Sequence, residues 1–589
     1  MQREQIDQKY KWDLTKIYAN DEAWEAELAK LRGEFGSIER FKGRLTESSA
    51  TLEEFFAENE NYSRRLYKLY SYAQMRYDEN TKDGKTQDMS NRVRSLAIQY
   101  REKTSFVKPE LLAKSEEEML RLIDTPKLRG FRKYFDDMLR WKKHTLSAEM
   151  ENLLAQVSEV SGTAQTAFSM LNNADLTFED AVDSEGKSHK VSNSTYSLYM
   201  QSPDRALRRS AFESLYKSYK GHINTLAALL QGEVKKNVFN AKVRGYASAR
   251  EAALFENNIP VSVSDNLIAA VNANLDKNHK AMAIRKKMLG LDELHLYDTY
   301  VSLAGDIDLS FTYEEARDLI LESFAPLGEE YVAVVREGFD SGWIDVYENE
   351  GKRSGAYSGG CYDSAPYVLM NYHGTLNHVF TLAHELGHSM HSYLTRKHQP
   401  FLYGNYSIFV AEVASTTNEA LLNDHMLKNE TDASKRKYIL SHYIDGFRGT
   451  VYRQTMFAEF ERDIHAHVES GGSLTADFLC EHYIGLVRKY FGPDVVIDDE
   501  IRYEWARIPH FYYNFYVYQY ATGFSAAVAL SKDILEARRD AYLEFLRAGS
   551  SDYPIAVLRR AGADMESEGP VNNALSVFSK VLDDFEKLV

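Results

Sequence analysis

The chain is poor in the residues that staple or anchor a protein. Only two cysteines, Cys361 and Cys480, occur in 589 residues. They could form one disulfide at most, too few to staple a chain of this size, and a reducing compartment is expected. No stretch approaches the roughly 20 apolar residues that a transmembrane helix needs. The opening Met1-Gln2-Arg3-Glu4-Gln5-Ile6-Asp7 lacks the apolar core of a signal peptide. Together these absences set a cytoplasmic expectation. A basic excess is missing too: the formal net charge of −16 argues against nucleic acid and against an anionic membrane surface as partners. Prolines number only 11, and there is no internal repeat or low-complexity tract.

What is present is ordinary globular material, 44% hydrophobic and 27% charged, enough for a large core. Residues 21–125 carry apolar positions at three- and four-residue spacing, as in Leu52, Phe55, Phe56 and Tyr62, which predicts amphipathic helices packed on one another. At 175–193, Leu176-Thr177-Phe178 and His189-Lys190-Val191 flank Asp183-Ser184-Glu185-Gly186 and predict a hairpin. Helical patterns resume near Asp204 and run to about residue 290. The segment 343–374 is glycine-rich, and its run Tyr367-Val368-Leu369-Met370-Asn371-Tyr372 suits a strand of a small sheet. Helices then continue to Val589, interrupted around Gly492-Pro493. The expectation is a mainly α protein, divided near the hairpin into an N-terminal helical domain, 1–200, and a second domain, 201–589, that holds the residues considered next.

The chemistry is concentrated in His384-Glu385-Leu386-Gly387-His388. Histidines at i and i+4 stand about 6 Å apart along a helix axis, so both imidazoles can reach one tetrahedral zinc ion. Glu385 points roughly 60–100° around the helix from them. It can approach the attacking water without ligating the metal, as a general base requires. Chance produces this pattern in some chains of such composition, so context has to carry it. Gly374 and Thr375 offer a helix start, and Leu376, Val379, Phe380, Ala383, Leu386, Gly387 and Met390 form one apolar face.

Catalytic zinc keeps three protein ligands and one open position. His391 lies about 10 Å along the axis from His384, too far to share the ion. The position ten residues after His384 is Leu394, which cannot ligate. Downstream, Ser407-Ile408-Phe409-Val410-Ala411-Glu412-Val413-Ala414-Ser415 reads as a capped, apolar helix with one carboxylate. A carboxylate in such surroundings needs a partner, and zinc would be that partner for Glu412. Glu419, two turns further along the same face, is a candidate acceptor for a histidine N–H.

With these residues in hand, the chain resembles oligoendopeptidase F, a bacterial relative of thimet oligopeptidase. The likeness runs from Lys11-Trp12-Asp13-Leu14 through Gly355-Ala356-Tyr357-Ser358-Gly359-Gly360-Cys361. It continues in Trp505-Ala506-Arg507-Ile508-Pro509-His510 and ends with Tyr553-Pro554 and Gly562-Ala563-Asp564. The resemblance implies two helical lobes around a deep channel that admits short flexible peptides, with a small sheet beside the motif helix. It implies one Zn2+ per chain on His384, His388 and Glu412, and cleavage of internal peptide bonds with Glu385 as general base and acid.

It also implies that a histidine and one or two tyrosines contact the substrate near the metal. The run 510–520 offers one imidazole and five phenols. His510 takes the histidine role and Tyr516, following Phe515, is the first choice of tyrosine, with Tyr513, Tyr518 and Tyr520 left open. Gly359 and Gly360 would let an extended peptide pair with the strand edge, and His373 reads as structural. Two other readings are a related metallopeptidase that trims C-terminal residues, marked by a basic cluster for the substrate carboxylate, and a peptide-binding protein without activity, marked by a lost ligand or base.

Overall fold

Apolar residues at helical spacing become helix along most of the chain. In the computed structural model, which describes residues 2–305, 307 and 309–588, the protein is mainly α with a few short strands. None of its described helices is long and apolar enough to cross a membrane. Cys361 and Cys480 are each a free, buried thiol.

The chain forms two compact units, and each is assembled from three stretches of sequence. The first comprises Met1–Lys143, Leu309–His425 and Leu530–Ala561. Its longest helix, Ser49–Glu79, starts where the Ser48 side chain accepts from the Thr51 N–H, a cap that satisfies a donor the helix cannot. Leu52, Phe55, Phe56 and Tyr62 are all buried on it, and it packs on the helix Gly84–Lys103. Trp12, Trp24, Tyr367 and Leu369 belong to the same core.

The small sheet of this unit has Tyr367–Leu369 in the middle, parallel to Ile344–Asp345 and antiparallel to Tyr357–Gly359. Tyr367, Val368 and Leu369 are fully buried, so an apolar run without alternation is what this strand needs. Beyond Leu369 the expected strand thins to ladder bonds, Met370 N–H to Asp345 and Tyr372 N–H to Val346. The N-terminal segment is tied to the sheet, since the Tyr367 hydroxyl donates to the Asp13 carbonyl at 2.9 Å. Asp345, also buried, is neutralised by Arg3 at 2.6 Å and Lys352 at 2.7 Å.

The second unit comprises His144–Asp308, Met426–Ala529 and Gly562–Val589. It contains the expected hairpin, with Ala181–Val182 antiparallel to Ser188–His189. The Asp183 carboxylate accepts from the backbone of Glu185 and Lys187 at 3.0 and 2.9 Å, and Gly186 takes a φ of 82°. These are the local bonds and the positive φ that such a turn demands. The strands are shorter than the sequence suggests and exclude Leu176–Phe178. The helix Ala476–Phe491 ends at Gly492, φ 78°, at the expected interruption. A division at residue 200 is a cut in the sequence, whereas these units are groupings in space whose chain stretches alternate.

Candidate active site

The helix carrying the motif is Leu376–His398. Thr375 caps it, its side chain accepting from the His378 N–H, and Gly374 before it has a φ of 78°. All seven apolar residues of the expected face are buried. Burial extends further around the helix to Leu382, Ser389, His391 and Leu394, so this is an interior helix rather than an amphipathic surface one.

The second helix of the site, Ile408–Asn429, carries the two carboxylates Glu412 and Glu419. Its N-terminus departs from the expected cap: the Ser407 hydroxyl is buried and makes no hydrogen bond. What holds the two helices together is closer to the motif. Asn418 Nδ2 donates to the Ala383 carbonyl at 3.2 Å, and the Tyr331 hydroxyl donates to Asn418 Oδ1 at 3.1 Å. Gly387 supplies the close approach, because a Cβ there would meet Ser415 Cα at 2.5 Å and the Ala414 carbonyl oxygen at 2.8 Å. The glycine inside the motif is therefore a packing requirement of the Glu412 helix. Its presence at a variable motif position was the available signal, and sequence reasoning used it only as part of an apolar face.

His384, His388 and Glu412 present one ligand atom each within 4.8 Å of one another, a group able to hold a metal ion. His384 Nε2 lies 3.3 Å and His388 Nε2 3.9 Å from Glu412 Oε2. A tetrahedral zinc with ligands at about 2.0–2.1 Å holds its donors about 3.3 Å apart, so this donor set and spacing fit the ion. His384 Nδ1 pairs with the Glu419 carboxylate, which leaves Nε2 as the nitrogen turned to the centre. His391 is elsewhere: buried, and stacked on Tyr406 with ring centroids 3.6 Å apart. His373 is exposed beside Glu348, at 3.2 Å.

The electrostatics favour positive charge at this point. Burial opposes charge on His384, but hydrogen bonds to Glu412 and Glu419 outweigh it and hold the ring protonated well above its ordinary range. Glu412 is likewise held below the usual carboxylate range, burial being outweighed by the His384 hydrogen bond. Burial and the charge on His384 push His388 down to about 4, keeping it a neutral imidazole. Glu385 is buried, and that burial, with the Glu412 carboxylate adding to it against the opposing His384, raises it to about 7. A carboxyl near neutrality can both take and return a proton. The adjacent strand is tied to the helix by Ser358 Oγ and Ser389 Oγ, 2.8 Å apart.

His510 and Tyr516 belong to the second unit, where they form their own aromatic cluster. The segment ahead of them, Asp499–Arg507, is anchored by buried Glu504, which accepts from Arg453 and the Tyr483 hydroxyl, both at 2.6 Å. From His510 onward the rings divide into two sets. Phe511, Tyr512, Phe515 and Tyr518 are buried, Tyr512 stacking on Phe168 with centroids 4.2 Å apart. His510, Tyr513, Tyr516 and Tyr520 turn the other way and touch one another. His510 lies 5.5, 6.2 and 5.9 Å from the rings of Tyr513, Tyr516 and Tyr520, and the Tyr520 hydroxyl is 3.4 Å from His510 Nε2. Tyr518, left open by the sequence, is 4% exposed and belongs to the buried set. The switch between the two sets is made at Asn514 and Phe515, both with positive φ, 49° and 59°. Asparagine tolerates that region, but for phenylalanine it costs roughly 1–2 kcal/mol.

An interior helix bearing His-Glu-x-x-His, with a glutamate from a second helix completing three convergent donors, is the site of a metallopeptidase. The peptidase family M3 profile matches residues 198–577, and the profile described as oligopeptidase F matches residues 110–178. Oligopeptidase PepF of Bacillus subtilis is 46% identical over all of this chain and 88% of its own length. A solved chain from Chlamydophila abortus is 39% identical with a TM-score of 0.95, covering 100% of both chains. The oligoendopeptidase-F structure from Enterococcus faecium is 37% identical with a TM-score of 0.74, over 96% of this chain and 99% of that one. The chain thus belongs to peptidase family M3, among the oligoendopeptidase F enzymes.

Proposed function

We propose that this metallopeptidase is a zinc endopeptidase that hydrolyses internal bonds of short, unstructured oligopeptides. The observation that carries the reading is the convergence of His384 and His388 on Glu412, at 3.3 and 3.9 Å, beside buried Glu385. His384, His388 and Glu412 would hold one Zn2+ per chain, with Glu419 orienting His384. When bound, the ion supplies Lewis-acid polarisation of the scissile carbonyl and a nucleophilic water near neutral pH. Glu385 takes the proton of the attacking water on its carboxylate and delivers it to the departing nitrogen. His510, whose imidazole burial holds below its ordinary value, and Tyr516 donate hydrogen bonds to the oxygen on which charge develops. The strand Tyr357–Gly359 ends its sheet, and this edge suits main-chain pairing with an extended peptide. The catalytic segment is 201–589, since every residue named lies in it and the family profile spans 198–577. The free thiols fit a cytoplasmic enzyme.

The test is digestion of a defined peptide mixture with products read by mass spectrometry, before and after exhaustive chelation and after zinc is restored. Internal cleavage that disappears with the metal and returns with zinc is expected. Release of only one or two C-terminal residues from every peptide would instead establish a carboxypeptidase. Full cleavage by protein shown to be metal-free would overturn the metal assignment.

A further inference from the structure

Beneath the turn at Asn514 and Phe515 lies a carboxyl group that the proposed reaction does not use. Glu461, on the helix Arg453–Glu469, is 0% exposed, and its Oε1 accepts the Phe515 N–H at 2.7 Å. Its other oxygen has no hydrogen-bond partner, and among the described residues it forms no ion pair. One turn along, His465 is also buried, its Nδ1 on the Glu461 carbonyl at 2.8 Å and its ring 4.4 Å from that of Phe515. His465 Nε2 lies 3.3 Å from Asn237 Nδ2. A carboxyl taken wholly out of water for a single backbone hydrogen bond is a poor stabiliser, since an apolar side chain would fill the same space without the desolvation cost. Its use is geometric. Phe515 is the second of the two residues in the left-handed region, Asn514 being the first, and together they divide Tyr513 from Tyr516. A slip of one residue here would exchange the buried Phe515 for the outward Tyr516.

We infer that Glu461 is a positioning residue: by holding the Phe515 amide it fixes the left-handed turn and so sets the directions in which Tyr513 and Tyr516 leave the backbone, beside His510. The inference rests on the reading that this aromatic cluster meets the substrate. Burial raises the Glu461 carboxyl to about 8, so that it stands as the neutral acid near neutral pH, partly opposed by the Phe515 hydrogen bond. A neutral carbonyl oxygen is all the turn requires, and glutamine supplies one in the same place.

The experiment compares Glu461→Gln, Glu461→Leu, Tyr516→Phe and His510→Ala in the full chain loaded with zinc. It measures kcat and KM on a fluorogenic peptide, zinc per chain, and hydrogen exchange of residues 511–517. Glu461→Leu should lower kcat about 10–100-fold with KM and zinc content near wild type, and should speed exchange in 511–517. Glu461→Gln should restore both readouts to within about threefold of wild type. Added to Tyr516→Phe, Glu461→Leu should cost less in kcat than it does alone, because the two act through one group. Should leucine prevent folding, Glu461→Met takes its place. Wild-type kcat and wild-type exchange in the leucine variant would overturn the inference, as would a glutamine variant as impaired as leucine. Wild-type kcat in both Tyr516→Phe and His510→Ala would sink the substrate-facing reading instead, while faster exchange in Glu461→Leu would still establish the anchor.

Discussion

His384 turns its Nδ1 to the Glu419 carboxylate and thereby directs Nε2 at Glu412, 3.3 Å away. One side chain thus links two carboxylates seven positions apart on the neighbouring helix. A carboxylate on the far nitrogen fixes the ring's tautomer and raises its basicity as a ligand. Glu419→Gln should therefore weaken zinc binding about 10–100-fold without abolishing it. Competition against a chelator of known affinity measures this. Unchanged affinity would show that the Glu419 contact does not tune the site.

Glu385 and Glu412 make opposite predictions from the same side-chain chemistry. Glu385→Gln should retain one zinc per chain and lose turnover by about two to four orders of magnitude, since a positioned base contributes on that scale. Glu412→Ala should lose the metal itself. Elemental analysis beside the peptide assay separates them, and a Glu385→Gln protein that loses zinc while Glu412→Ala keeps it would reverse the two roles.

Gly387→Ala should disturb the site without touching any donor. The new methyl would lie 2.5 Å from Ser415 Cα, and main chain cannot rotate out of the way. Pushing the helices apart should cost about 1–3 kcal/mol in stability and lower zinc affinity, because Glu412 sits three residues before Ser415. Thermal unfolding with a metal titration tests both. A variant that binds zinc as tightly as wild type would show that the close approach is not needed for ligation.

Glu461 also predicts a pH dependence of stability. Its carboxyl titrates near 8 in the fold and near 4.3 in an unfolded chain. Between these values the folded protein holds one more proton than the unfolded one, so raising the pH removes stability, at up to about 1.4 kcal/mol per pH unit. That contribution is complete below the unfolded value and is lost as the pH rises through 8. Glu461→Gln carries no such proton. Its stability relative to wild type should therefore grow from pH 5.5 to pH 7.5 in urea unfolding, and a constant difference would show that folding does not raise the carboxyl above that window.

The amino-acid sequence by itself determined what depends on local geometry. Helical rise excluded His391 as a companion to His384, and the structure stacks that ring on Tyr406 instead. The same rise brought His384 and His388 to one point, and the cost of a lone carboxylate among apolar residues singled out Glu412, which lies where those two rings converge. Asp183 and Gly186 announced their turn because its bonds close within four residues. These are properties of a few neighbouring positions, and periodicity and turn chemistry report them directly.

Only the tertiary structure decided the rest, because it turns on contacts between residues remote in sequence. Five tyrosines within nine positions are alike in chemistry. Which of them face outward is settled by a hydrogen bond from the Phe515 N–H to a glutamate 54 residues away and by Phe168 receiving the ring of Tyr512. Gly387 reads as one more small residue of a helix face until the backbone of Ser415 is set against it. The alternation of three chain stretches in each unit has the same origin. A helix's pattern states that one face must be buried, and it carries no information about which distant segment will bury it.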